Sequence, residues 1–237
     1  MRFQVRVVMF DLDGTLLDTA PQIAEAANRM LVALGKPMLP QAQITTYIGE
    51  GVQNLIKRCL VGSMHGEPSE QEFARAQPLY HGFYEANATD SQAFAGVLPA
   101  LQQLKKQGYR LACVTNKPEK FTLPLLQHAG LADFFEIVVS GDTLPKKKPD
   151  PLPLLHICQK LGTLPAEAVL VGDSETDIQA AHAAGCFVVT VPYGYNQGRA
   201  IDVATVDATV QQLTEVVNLL ELPALLSGDN KKFVQIS

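Results

Sequence analysis

The sequence predicts an α/β protein, a doubly wound parallel sheet (a Rossmann-like core) that carries an inserted all-helical unit. Three observations lead there. From residue 91 onward, short β-branched runs alternate with amphipathic stretches of about ten residues, the pattern of repeated βαβ units. One further apolar run, with Val5, Val7, Val8 and Phe10, opens the chain. Between that run and residue 91 the apolar residues recur only at helical spacing. The length of 237 residues, with 47% hydrophobic and 18% charged, suffices for a large buried core and argues against disorder.

The elements follow in order. The run over 5–10 is apolar on both faces and reads as a buried parallel strand. Asp18 or Thr19 then caps a helix with Pro21 in its first turn. Ile23, Ala26, Ala27, Met30, Leu31 and Leu34 continue it until Gly35 and Pro37 stop it. Helices are expected over 52–60, after Ile48-Gly49-Glu50-Gly51, and over 69–87, where Phe73, Ala76, Leu79, Tyr80 and Phe83 share a face. No strand signal interrupts 18–90. Helices over 98–107, 119–129, 151–161 and 176–184 follow, ended by glycine or a residue beside one. They alternate with strands over 109–115, 135–140, 168–172 and 187–191. A short strand over 206–209 and a helix over 211–220 close the series. The expected division is a core of 1–17 and 91–226, a helical unit of 18–90, and a polar tail of 227–237.

Composition narrows the partners. A net charge of −5 gives no electrostatic case for nucleic acid or an anionic membrane. No apolar run reaches the length that spans a bilayer, and no charged-then-apolar leader precedes the first strand. Cys59, Cys113, Cys158 and Cys186 stand in apolar contexts without metal-ligand spacing, as reduced thiols do. A cytoplasmic location is the expectation. Nothing in the sequence specifies an oligomeric state.

Chemistry gathers where the strands end. The first ends in Asp11-Leu12-Asp13-Gly14-Thr15, the second in Thr115-Asn116-Lys117-Pro118 and the fourth in Gly172-Asp173-Ser174-Glu175-Thr176-Asp177. Lys146-Lys147-Lys148 follows the third. In a parallel sheet these ends share one edge, where ligands bind. Taken alone, Asp-Gly is a turn signal and a lysine run a solvated face. Their joint occurrence at successive strand ends points instead to phosphoryl transfer, which needs positioning and charge stabilisation. Asp11 is the expected nucleophile. Asp13, two residues on, would act as general acid and then base. The close carboxylates call for a hard cation, Mg²⁺, with Asp11 and Asp173 as ligands. Asp177 would support the ligands or Lys148 from behind. Thr115 Oγ1 and the Asn116 N–H would hold phosphate oxygens, and Lys148 would offset charge. Lys148 is chosen because it adjoins Pro149, with Lys146 and Lys147 left as solvated.

These four segments, DLDGT at 11–15, VTNK at 114–117, KKPDP at 147–151 and GDSETD at 172–177, resemble the haloacid dehalogenase superfamily of phosphohydrolases. With the topology, the resemblance covers about residues 5–220. It implies a phosphorylated Asp11, a Mg²⁺ site of Asp11, Asp173 and the main-chain carbonyl of Asp13, and a small helical cap in residues 18–90. An acid at position 13 matches the phosphatase branch and disfavours dehalogenation. TYIGEG at 46–51 with Arg58, TNKPEKF at 115–121 and Tyr193-Gly194-Tyr195-Asn196 look most like the branch that hydrolyses 2-phosphoglycolate. A small, closed pocket favours such a small phosphate ester. The substrate's carboxylate would need a cation or a helix N-terminus, with Lys57 or Arg58, and Lys117 from the core side, as candidates. Sugar-phosphate phosphatases and β-phosphoglucomutase-like mutases share the motifs, and a non-catalytic binding protein is a further alternative.

Overall fold

The structure, a computed structural model, describes residues 2–224. The tail expected over 227–237 lies outside the described residues. The chain opens with β1 (Phe3–Gln4), β2 (Val7–Phe10) and β3 (Leu17–Asp18). Four helices follow: α1 (Ala20–Ala33), α2 (Gln41–Thr45), α3 (Val52–Val61) and α4 (Glu70–Glu85). Next come β4 (Gln92–Ala93), α5 (Val97–Lys106), β5 (Arg110–Val114), α6 (Glu119–His128), β6 (Ile137–Val139) and α7 (Leu152–Lys160). The chain continues through β7 (Ala168–Gly172), α8 (Glu175–Ala184), β8 (Phe187–Thr190), β9 (Ala208–Thr209), α9 (Leu213–Leu219) and β10 (Leu220–Glu221).

Six of these strands form one parallel sheet in the order β6-β5-β2-β7-β8-β9. β2 lies inside it, and all four of its residues are fully buried. Side chains alternate across a strand. Val7 and Met9 therefore join Leu154, Ile157, Ile178 and Ala181 on one face. Val8 and Phe10 join Leu101, Leu104, Leu125 and Leu213 on the other. Helices cover both faces, which is why this strand is a continuous apolar run. Each such side chain stabilises the fold by about 1.5–3 kcal/mol relative to exposure.

The helices α1 to α4 leave the sheet after β2 and return before α5. β3 and β4 tie the two crossings together as an antiparallel ribbon, with Leu17 opposite Ala93 and Asp18 opposite Gln92. Of the two cap candidates, Thr19 takes the N-cap position of α1, and Asp18 belongs to this ribbon. A two-residue strand is too short to carry a period. Helix α2 is likewise absent from the expectation, because five residues starting after Pro40 show no complete apolar stripe. Ala20, Ala24, Ala26 and Ala27 let α1 pack closely; its own Ile23 and Met30 are buried with Ile44, Leu55, Ile56, Tyr80 and Tyr84 of the neighbouring segments. Ser69 caps α4, its Oγ accepting the Glu72 N–H at 3.2 Å. Among the described residues, no helix is long and apolar enough to cross a membrane.

Candidate active site

The register of the sheet fixes which residues meet. Phe10 pairs with Cys113 of β5 and with Val171 of β7. Asp11, Thr115 and Asp173 therefore emerge together at the carboxyl edge, where β2 has neighbours on both sides.

One group of charges surrounds Asp11. Carboxylate oxygens of Asp11, Asp173 and Asp177 lie within 4.8 Å of one another. Lys148 Nζ stands 2.9 Å from Asp11 Oδ1, and donates to Asp177 Oδ1 at 2.6 Å and to the Val114 carbonyl at 2.8 Å. Its burial alone would lower its pKa, but Asp11 and Asp177 raise it, so the ammonium stays charged. Asp177 also accepts from Ser174 N and Oγ, closing a capping box at the start of α8. Asp173 is oriented from two sides: Thr15 Oγ1 donates to its Oδ1 at 2.9 Å and the Tyr195 N–H to its Oδ2 at 2.7 Å. Gly14 (φ +84°) and Gly194 both pack against the Asp173 side chain, so closely that a Cβ at either would overlap it.

This group fits a divalent cation. Apart from the Lys148 ammonium 2.9 Å away, buried Asp11 Oδ1 has no partner. Burial pushes Asp11 up to about 7 and Asp173 up to about 8, and neighbouring carboxylates add to both. Asp177 is committed to Lys148 and Ser174, which leaves Asp11 and Asp173 as the oxygen donors for a hard metal.

A second group surrounds Asp13. Thr19 Oγ1 donates to Asp13 Oδ1 at 2.7 Å, and Lys117 Nζ lies 2.8 Å from the same oxygen. Lys117 also sits 4.8 Å from the centre of the Tyr84 ring. The two acids thus share one edge but have separate cations. Thr115 is buried, and its Oγ1 accepts the Lys117 N–H at 3.2 Å. Among the described residues, the backbone N–H groups of Leu12, Asp13 and Asn116 make no hydrogen bond, which leaves a set of donors for an anion. The Asn116 side chain is used structurally, donating to Lys148 O at 2.9 Å and Gly49 O at 3.0 Å.

Both groups border a cavity of about 60 Å³, room for roughly four to six waters at the ~10–15 Å³ that one occupies. Asp11, Asp13, Thr115, Asn116, Lys117 and Asp173 line it from the sheet side. Ile23, Ile48, Val52, Leu55, Tyr80 and Tyr84 line it from the helical unit.

Two expectations are corrected here. Arg58 does not line the cavity. Its guanidinium bonds Glu50 Oε2 at 2.6 Å and the Tyr47 carbonyl at 3.2 Å, so it braces the loop before α3. Lys147 is not a solvated lysine. It is half-buried, and its Nζ donates to the Glu50 carbonyl across the gap between sheet and helices, at 2.7 Å. The sequence names Tyr195 only within the resemblance and assigns it no role. Its hydroxyl accepts the Thr19 and Ala20 N–H groups and donates to Asp18, fixing the start of α1. The Tyr-Gly-Tyr spacing after β8 was the available signal.

The haloacid dehalogenase-like hydrolase family model matches residues 8–191. The chain belongs to that family. The hydrolase is 54% identical over 218 residues to a phosphoglycolate phosphatase of Nitrosospira multiformis, covering 92% of this chain and 96% of the relative. A phosphoglycolate phosphatase of Thiobacillus denitrificans is 52% identical over 212 residues, covering 89% and 93%. Among solved structures, one described as a predicted phosphoglycolate phosphatase from Haemophilus somnus superposes on this hydrolase with a TM-score of 0.86. It is 35% identical and covers 91% of this chain and 97% of its own. Hydrolases of this family generally use a divalent metal, in keeping with the carboxylate group described above.

Proposed function

We propose that this protein hydrolyses 2-phosphoglycolate to glycolate and phosphate, with Mg²⁺ as cofactor and a phosphoryl group carried on Asp11. The observation that carries the reading is the separation of two acids at one cavity. Asp11 stands with Lys148 and Asp173, and Asp13 with Thr19 and Lys117. The name shared by the curated relatives supplies the substrate.

The roles follow from these environments. An Asp11 oxygen attacks phosphorus, and the bond from phosphorus to the ester oxygen breaks. Asp13 gives that oxygen its proton, so glycolate leaves as an alcohol. Asp13 then takes a proton from the water that attacks the phosphorus of the acyl-phosphate, and Asp11 is released. Thr115 Oγ1 and the Asn116 N–H hold the phosphoryl oxygens. Lys148 offsets the charge on Asp11 and on the phosphate. Asp11, Asp173 and the Asp13 carbonyl would hold Mg²⁺, which supplies Lewis-acid neutralisation of the nucleophile against a dianionic substrate. Residues 18–90 serve as a cap over the core of 1–17 and 91–226, excluding bulk water from the ester. Four free cysteines suit a cytoplasmic setting.

Phosphate release measured across small esters, with and without Mg²⁺, tests the reading. The highest kcat/KM is expected for 2-phosphoglycolate, with activity lost on removing the metal and in Asp11→Asn. Equal or better turnover of sugar phosphates, or isomer formation in place of phosphate release, would overturn it.

A further inference from the structure

The loop of residues 193–198, between β8 and β9, runs along the junction of sheet and helices. Its backbone holds a ligand of the cation site, the Tyr195 N–H donating to Asp173 Oδ2 at 2.7 Å. Its side chains hold both crossings. The Tyr195 hydroxyl accepts the Thr19 and Ala20 N–H groups at 2.8 and 2.9 Å, and donates to Asp18 Oδ1 at 2.8 Å. The Tyr193 hydroxyl donates to the Thr15 carbonyl at 3.0 Å. The Tyr193 ring packs on Phe94, just after β4, with 4.6 Å between centroids. Gln197 then donates to Glu50 Oε1 at 2.6 Å, and Gly198 passes close against Thr46.

This loop has little freedom. Asn196 and Gln197, neither a glycine, stand in the left-handed region at φ +31° and +53°. Such residues persist where their surroundings over-determine them. Asn196 accepts the Glu175 N–H at the start of α8 and donates to the Arg199 carbonyl. Gln197 is held by Arg199 as well as by Glu50. A loop so constrained passes a shift of Asp173 on to the Tyr195 ring instead of absorbing it. Tyr195 is itself buried, with its main chain on the carboxylate and its hydroxyl on the first crossing.

We infer that Tyr195 is a positioning residue that links Asp173 to the crossing at 18–20, so that a metal held by Asp173 and the seating of the helical unit favour each other. The effect is reciprocal, as any coupling between two equilibria must be. It rests on the reading of Asp11 and Asp173 as a cation site.

Amide exchange with Mg²⁺ alone, read by NMR, tests the link. The Ile23 N–H bonds the Thr19 carbonyl and the Phe94 N–H bonds the Leu16 carbonyl, so these amides report the two crossings without bonding Tyr195. In the wild-type protein, saturating Mg²⁺ should slow both by about fivefold or more relative to amides of α7, the lower end of coupling between sites. Tyr195→Phe keeps the ring and the N–H on Asp173 and removes only the hydroxyl. It should still bind Mg²⁺ in a calorimetric titration, and its crossings should respond no more than α7 does. A wild-type protein that binds Mg²⁺ without slowing Ile23 and Phe94 beyond α7 would overturn the inference and leave the cation site standing. This measurement decides even if the variant does not fold. A variant that keeps the wild-type response would make the hydroxyl merely structural and overturn it too. If the wild-type protein binds no Mg²⁺, the cation reading fails and the inference falls with it.

Discussion

Lys148 and Asp177 form an ion pair that solvent barely reaches, with Nζ 2.6 Å from Oδ1 and side-chain exposures of 2% and 0%. Lys148 reaches Asp11 from the same position. Removing the lysine would leave buried carboxylates without their cation. Lys148→Met should therefore destabilise the metal-free protein by about 3–5 kcal/mol in denaturant unfolding, and abolish turnover. Adding Asp177→Asn to that variant should restore part of the stability and none of the activity. A double variant no more stable than Lys148→Met would mean that the pair is not coupled as described.

The pair Asp11 and Asp173 makes stability depend on pH and metal together. Burial holds them at about 7 and about 8, above the ordinary carboxylate value of 3.8. The native chain then binds more protons than the unfolded chain between these limits, so the metal-free protein should lose stability as pH rises from about 4 to about 8. A divalent cation removes the need for those protons. The rise in Tm on adding Mg²⁺ should accordingly be larger at pH 8 than at pH 5.5. A metal increment that is flat or reversed across this range would contradict the assignment of the two acids as a cation site.

Gly194 tests how Asp173 is held. Its backbone passes so close to the Asp173 side chain that alanine would displace it. The displacement would also disturb the Tyr195 N–H bond to Asp173 Oδ2. Gly194→Ala should cost about 1–3 kcal/mol, as overpacking does, and weaken Mg²⁺ binding in a calorimetric titration. Unchanged metal affinity together with unchanged Tm would show that Gly194 is not needed for close approach.

Much of this was legible because it is local. The strand run at Val7–Phe10, the helix with Ile23 and Met30 on one face, and the glycine stops each announce themselves within a few residues. The acids at the strand ends follow from that register, since a parallel sheet brings its carboxyl ends together. What was hidden is long-range. Nothing near Lys147 tells that its ammonium meets the Glu50 carbonyl, 97 residues away. Arg58 looked available because its partner Glu50 lies eight residues back, on a loop whose path the local pattern does not set.

Glu50 is where the helical unit is fastened to the sheet. Its carbonyl accepts from Lys147, its Oε1 from Gln197 at 2.6 Å and its Oε2 from Arg58 within the helical unit. Beside it, Gly49 accepts from Asn116, and a Cβ on Gly51 would come 2.5 Å from Lys147 Nζ. The core thus grips this loop at three points, and Lys147 supplies the only ammonium among them. The loop also lines the cavity, so its position sets how the substrate is enclosed. Lys147→Ala should loosen the grip. A charged hydrogen bond that is half open to solvent is worth about 1 kcal/mol, or roughly fivefold in an equilibrium. KM should rise by about that factor with a smaller change in kcat, and amide exchange at residues 49–52 should quicken. Lys147→Arg, which keeps the charge and the donors, should recover most of the KM. Unaltered exchange in this loop, or a loss confined to kcat, would mean that Lys147 does not hold the helical unit closed.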